Sequence, residues 1–139
     1  MRRMLLVFLA LLAGCGEVRS PQATAAPAPA LAQLGAPQTV DGLTIGLEAP
    51  PRPNSTDGQT WLVSLKDAAG APVDGADVYL DLVMTTMEMG QNKPLATPLG
   101  GGRYQMQGIY GMGGAWRLDV HAKVAGKDHV APFPIEVVP

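Results

Sequence analysis

From Thr39 onward apolar and polar side chains alternate with a period of two, and Gly, Pro, Asn and Asp interrupt the alternation at short intervals. The clearest stretch is 77–84, where Val78, Leu80, Leu82 and Met84 share one face and Asp77, Tyr79 and Asp81 the other. Residues 115–124 repeat the pattern, with Trp116, Leu118, Val120 and Val124 alternating against Arg117, Asp119, His121 and Lys123. Tyr104 and Met106 oppose Arg103, Gln105 and Gln107. In 59–67, Trp61, Val63 and Leu65 form a stripe that Leu62 partly opposes.

These runs predict strands over 40–48, 59–67, 76–84, 102–110 and 115–124, and a last strand interrupted by Pro132 and Pro134. A short segment over 95–99 is expected as an edge strand, the only place where Pro94 and Pro98 are tolerable. Six or seven short strands, no helical period and closely spaced turns predict an all-β fold. Its expected form is an immunoglobulin-like antiparallel β-sandwich, with Trp116 and the methionines Met84 and Met106 in its core.

The N-terminus has another character. Met1-Arg2-Arg3, an apolar run over 4–12 and Ala13-Gly14-Cys15 read as a basic region, an apolar segment too short to span a bilayer, and a small-residue processing site. Leu12-Ala13-Gly14-Cys15 resembles the bacterial lipoprotein box, in which the cysteine carries lipid. Residues 1–14 are therefore expected to be a lipoprotein signal peptide and Cys15 a lipid-modified membrane anchor in the cell envelope. The Ala/Pro/Gln-rich residues 15–38 are expected to form a flexible tether, and 39–139 the folded domain.

Cys15 is the only cysteine, which excludes an internal disulfide and any cysteine-based zinc or redox site in the folded part. Loss of Arg2 and Arg3 leaves 8 basic against the 12 acidic side chains, a net charge near −4 that makes nucleic acid an unsuitable partner. No nucleophile elbow, His-Glu-x-x-His or phosphate loop before a helix is present, and the serines are Ser20, Ser55 and Ser64. The expectation is a protein that is not an enzyme.

The string from Gly70 to Val73, "GAPV", the "GRY" of residues 102–104 and the "MGGAW" of 112–116 resemble the YtkA-like domain family, which overlaps the FixH-like accessory proteins. Thr85 and Thr86 stand where that family often has proline before its central methionine. The resemblance implies an immunoglobulin-like sandwich outside the cytoplasmic membrane, often tethered to it, with a role near copper handling or oxidase assembly.

All methionines beyond residue 15 fall between 84 and 112: Met84, Met87, Met89, Met106 and Met112. Thioethers are soft ligands that select Cu(I) and need no deprotonation; they are also flexible fillers of irregular cores. Alternation assigns Met84 and Met106 to the core. Met87, Met89 and Met112 fall in loops and are the candidate metal ligands. Strand parity decides whether they meet: with a strand at 95–99 the loops after 84 and after 110 share one pole, and without it they lie at opposite poles.

His121 and His129 are expected at the surface, and Asp74, Asp77 and Asp81 along a solvated sheet face rather than around one cation. Two functions follow. One is binding or escort of Cu(I) by the loop methionines. The other is an interaction or assembly domain for an envelope protein, with the methionines as an adaptable apolar patch.

Overall fold

Asp41-Gly42 sits between Val40 and Leu43 with both residues at positive φ, 49° and 82°, the requirement of a two-residue hairpin turn. The strand expected over 40–48 is therefore two strands, β2 (Gln38–Val40) and β3 (Leu43–Ala49), folded back on each other. Ahead of them β1 (Ala32–Gln33) pairs with the end of β3, and the Gln33 amide donates to Leu47 O at 3.0 Å. The folded domain thus reaches back into the segment read as tether, because Gln33 satisfies a carbonyl on the edge of β3.

The computed structural model describes residues 30–139, and its strands continue with β4 (Gln59–Lys66), β5 (Asp77–Met84), β6 (Thr97–Gly100) and β7 (Arg103–Gly108). Two long strands close the domain, β8 (Gly114–Val124) and β9 (Lys127–Val137). One sheet runs β1-β3-β4-β7-β6 with β2 also on β3, and the other runs β5-β8-β9. All pairings between these strands are antiparallel. The order β3-β4-β7-β6 facing β5-β8-β9 is the four-on-three arrangement of an immunoglobulin-like sandwich.

The edge segment between β5 and β7 serves both sheets. Residues 92–96 lie along β5, where Leu82 N donates to Asn92 O and Leu80 N to Pro94 O, both at 3.1 Å, and Ala96 N donates to Val78 O at 2.9 Å. The chain then crosses to the other sheet, where β6 pairs with β7 through a bulge between Pro98 and Gly100. Pro94 lacks the N–H that would face Leu80 O, a loss tolerated at this edge, while its carbonyl still accepts from Leu80 N.

Pro132 and Pro134 do not interrupt β9, which is continuous from Lys127 to Val137. They oppose Asp119 and Arg117 across β8 and are two residues apart, so both missing N–H groups belong on the outer edge. The Gln38 amide there donates to Pro132 O.

Between the sheets the predicted stripes are buried. Trp61, Tyr104, Tyr110 and Phe133 are the largest fully enclosed side chains, and Met106 lies beside them. Trp61 meets Tyr110 edge-on at 5.5 Å and donates Nε1–H to its hydroxyl at 3.2 Å; Tyr110 meets Trp116 at 5.3 Å. Tyr104 ties down the loop between β4 and β5, its hydroxyl donating to Val73 O at 2.8 Å and accepting from Ala76 N at 3.1 Å.

Burial pushes the Tyr110 phenol up to about 12, since the core disfavours the phenolate. The folded state then holds its proton over a pH range in which the unfolded chain gives it up. The stabilisation, about 2–3 kcal/mol at most, is fully present below pH ~10 and lost as the pH rises to ~12. Tyr110→Phe should flatten the alkaline limb of stability over that window, read as the urea midpoint against pH, even though its loss of the Trp61 hydrogen bond lowers stability at neutral pH.

Candidate functional site

β3, β5 and β7 end, and β8 begins, at the same pole of the sandwich, since Ala49 pairs with Ala32, Gly108 with Gln59 and Met84 with Trp116. The loops 50–58, 85–91 and 109–113 close that pole together. Crossing contacts hold them: Thr85 donates from both N and Oγ1 to Ala115 O, at 3.0 and 3.1 Å, and the Asn92 amide donates to Ile109 O at 3.0 Å. Segment 92–96 thus supplies the reversal that brings the two methionine loops to one end.

Met87, Met89 and Met112 are 52%, 38% and 39% exposed, against 9% for Met84 and 1% for Met106. Met84, Met87, Met89 and Gly90 line a cleft of about 240 Å³ together with Asp81 and Glu88. Met112 stands on the adjoining loop and does not line the cleft. The loops nonetheless touch: a Cβ placed on Gly111 would lie 2.9 Å from the Met89 Cε, so the absence of a side chain there admits the methionine. A Cβ on Gly114 would similarly lie 3.0 Å from the Met84 Cε. Trp116 fixes the second loop from below, its Nε1–H donating to Met112 O at 3.1 Å.

Met84 has a place that sequence reasoning missed. It ends the buried stripe of β5 and is also one of the residues that line the cleft with Met87 and Met89. The available signal was its position as the last residue of the strand, where a core-facing side chain borders the pole.

The histidines lie elsewhere. His121 faces outward on β8, stacks on Tyr79 at 4.4 Å and 9°, and places Nδ1 2.9 Å from Asp128 Oδ2. His129 is buried rather than exposed, with Nδ1 3.2 Å from Val40 O. The Ala122 to His129 pairing turns it inward, where the β2–β3 hairpin covers it. Asp81 pairs with Lys93 at 3.3 Å. Asp74 is not on the sheet face; it lies in the loop before β5 and accepts from Gly102 N at 2.8 Å. Among the described residues no three His, Cys, Asp or Glu side chains form a group able to hold a metal ion, so the soft donors at the pole are the candidate ligands. Cys15 and the signal segment lie outside the described residues.

A family model described as YtkA-like matches residues 37–121, which takes in β2 through most of β8 and both methionine loops. No curated protein matches the chain.

Proposed function

The chain belongs to the YtkA-like family, and from that membership we propose a non-enzymatic accessory domain outside the cytoplasm, held to a membrane through lipid on Cys15. In this reading it binds or escorts Cu(I) with the thioethers of Met87, Met89 and Met112, and Met84 lines the cleft beside Met87 and Met89. The carrying observation is the convergence of three methionines on one cleft with a fourth on the loop packed against it. Soft, neutral ligands suit Cu(I) and survive in a compartment where thiols oxidise.

Equilibrium dialysis of the protein against Cu(I) under reducing conditions tests this reading. Wild type should bind tighter than micromolar. Replacing Met87, Met89 and Met112 together by leucine should abolish binding with little change in the unfolding midpoint, because exposed thioethers contribute little to the core. Met84→Leu should retain measurable binding and cost less than about 1.5 kcal/mol, as a swap that keeps volume. A triple variant that binds like wild type sinks the metal reading. Cys15→Ser should release the protein from the membrane fraction or leave it unprocessed.

The second reading is an interaction surface for an envelope protein, favoured by Ile109, 49% exposed on the same pole as the methionines. Under it the triple leucine variant keeps its contacts, since leucine preserves an apolar patch.

A further inference from the structure

The methionines of residues 84–112 divide by their access to solvent. Met84 and Met106 are buried, so a solute in water reaches neither sulfur freely, whereas Met87, Met89 and Met112 are exposed at one pole. Cys15 is the chain's only cysteine, so loops 50–58, 85–91 and 109–113 hold no thiol that would take an oxidant first. Met89 also has a mechanical part. Its Cε occupies the space that a side chain on Gly111 would need, a Cβ there lying 2.9 Å away, and so it bridges loop 85–91 to loop 109–113. Thr85 bonded to Ala115 O and Asn92 bonded to Ile109 O fasten the two loops to each other at both ends. The Met89 contact lies between those fastenings.

We propose that this pole is a site of reversible methionine oxidation: sulfoxides at Met87, Met89 and Met112 turn a soft apolar surface into a polar one and, through Met89, part the two loops without unfolding the domain. The oxidant is a hydroperoxide. A lone pair on the thioether sulfur attacks a peroxide oxygen, and the S–O bond forms as the O–O bond breaks. The departing hydroxide takes the proton from the new sulfur–oxygen group and leaves as water, so sulfur loses two electrons and the peroxide gains them. A dithiol-dependent sulfoxide reductase reverses the change, forming a disulfide and water as the thioether is restored. At Met89 the new oxygen is bonded to the sulfur that carries the methyl group packed on Gly111. Burying that oxygen without a hydrogen-bond partner is costly, which draws the side chain out of the contact and into water. The fastenings at Thr85 and Asn92 confine the opening to the stretch between them. Either use of the pole is lost on oxidation, because a sulfoxide offers oxygen rather than a soft thioether to Cu(I) and a polar group to an apolar partner.

The test treats the full-length, metal-free protein with hydrogen peroxide and follows the sulfoxide fraction at each methionine by mass spectrometry of digests taken over time. Met87, Met89 and Met112 should oxidise several-fold faster than Met84, and Met106 most slowly, with the urea midpoint nearly unchanged once the three are converted. Amide hydrogen exchange over 109–113 should then quicken several-fold and return to its starting rate after treatment with a sulfoxide reductase and a dithiol. In Met89→Leu, peroxide should leave that exchange where it was. Similar rates at all five methionines would mean that the sulfurs are reached by global opening, which overturns the site. A collapsed urea midpoint after conversion of the three overturns a change confined to the pole. Unchanged exchange in oxidised wild type overturns the parting of the loops, and quickened exchange in oxidised Met89→Leu overturns the part given to Met89. No copper enters these measurements, so failure of the metal reading leaves their outcome intact.

Discussion

Trp116→Ala is expected to lower stability by about 3–5 kcal/mol, the range for truncating a large aromatic in a core. The indole is 3% exposed, opposes Met84 on β5 and Ile135 on β9, and contacts the Tyr110 ring. Removing it empties space that its neighbours, held in sheet register, cannot collapse to fill. For a domain whose net stability is about 5–15 kcal/mol, that is a large fraction. The loss should appear as a lower urea midpoint at unchanged slope. The same substitution frees Met112 O from its donor and loosens the 109–113 loop, so under the proposed metal reading Cu(I) affinity should fall in the fraction that remains folded. Trp116→Phe separates the two roles, keeping most of the ring while deleting the N–H, at a cost of about 1–2 kcal/mol. A loss below about 1 kcal/mol for Trp116→Ala would place the ring outside the core.

Gly102→Ala should be nearly as damaging although it adds a single methyl group. Gly102 has φ +70°, and a Cβ there would lie 2.5 Å from Leu65 O and 3.0 Å from both Val73 N and Pro72 Cβ. Those atoms form a junction: Leu65 N donates to Gly102 O, Val73 N donates to Leu65 O, and Gly102 N donates to Asp74. The methyl group enters that junction and forces β4, β7 and the 67–76 loop apart. Left-handed backbone costs alanine about 1 kcal/mol by itself, and losing two or three partly buried hydrogen bonds adds about 1 kcal/mol each. Gly101→Ala is the internal control, since φ there is +64° but nothing lies within 4 Å of the added carbon. Urea unfolding should show a small loss for Gly101→Ala and a loss of about 3–4 kcal/mol for Gly102→Ala. Equal losses would mean that conformation, not crowding, decides both.

Alternation made the strand faces legible. Val78, Leu80, Leu82, Trp116, Leu118 and Val120 are buried where period two places them, because a sandwich buries one face of each strand. The antiparallel immunoglobulin-like class followed from those runs and their turns. Partnership was harder to read. Residues 92–96 add to β5 and 97–100 to β7, and no local pattern says that one edge segment divides itself between two sheets. Asp41-Gly42 was a readable hairpin signal inside a run whose apolar residues suggested one strand. Proline in β9 suggested interruption because sequence does not reveal which side of a strand lies at an edge.

At the candidate site the shared pole followed from counting strands, once the 95–99 segment was included. The depth of each side chain did not. Met84 reaches the cleft as well as the core, and Met112 adjoins the cleft without lining it, because Gly111 and Gly114 set the clearance between loops. His129 is enclosed by a hairpin from the far end of the chain, a contact that local sequence does not carry.

The outer edge of β9 also bears on how many of these molecules can live side by side. An unpaired edge of eleven residues is a template on which a second chain can nucleate a fibril. Pro132 and Pro134 remove two donors from that template, and the Gln38 amide occupies one of its acceptors. On the other edge of the same sheet, residues 92–96 already fill the docking positions of β5. The three-stranded sheet is thereby guarded against self-templating at both of its edges.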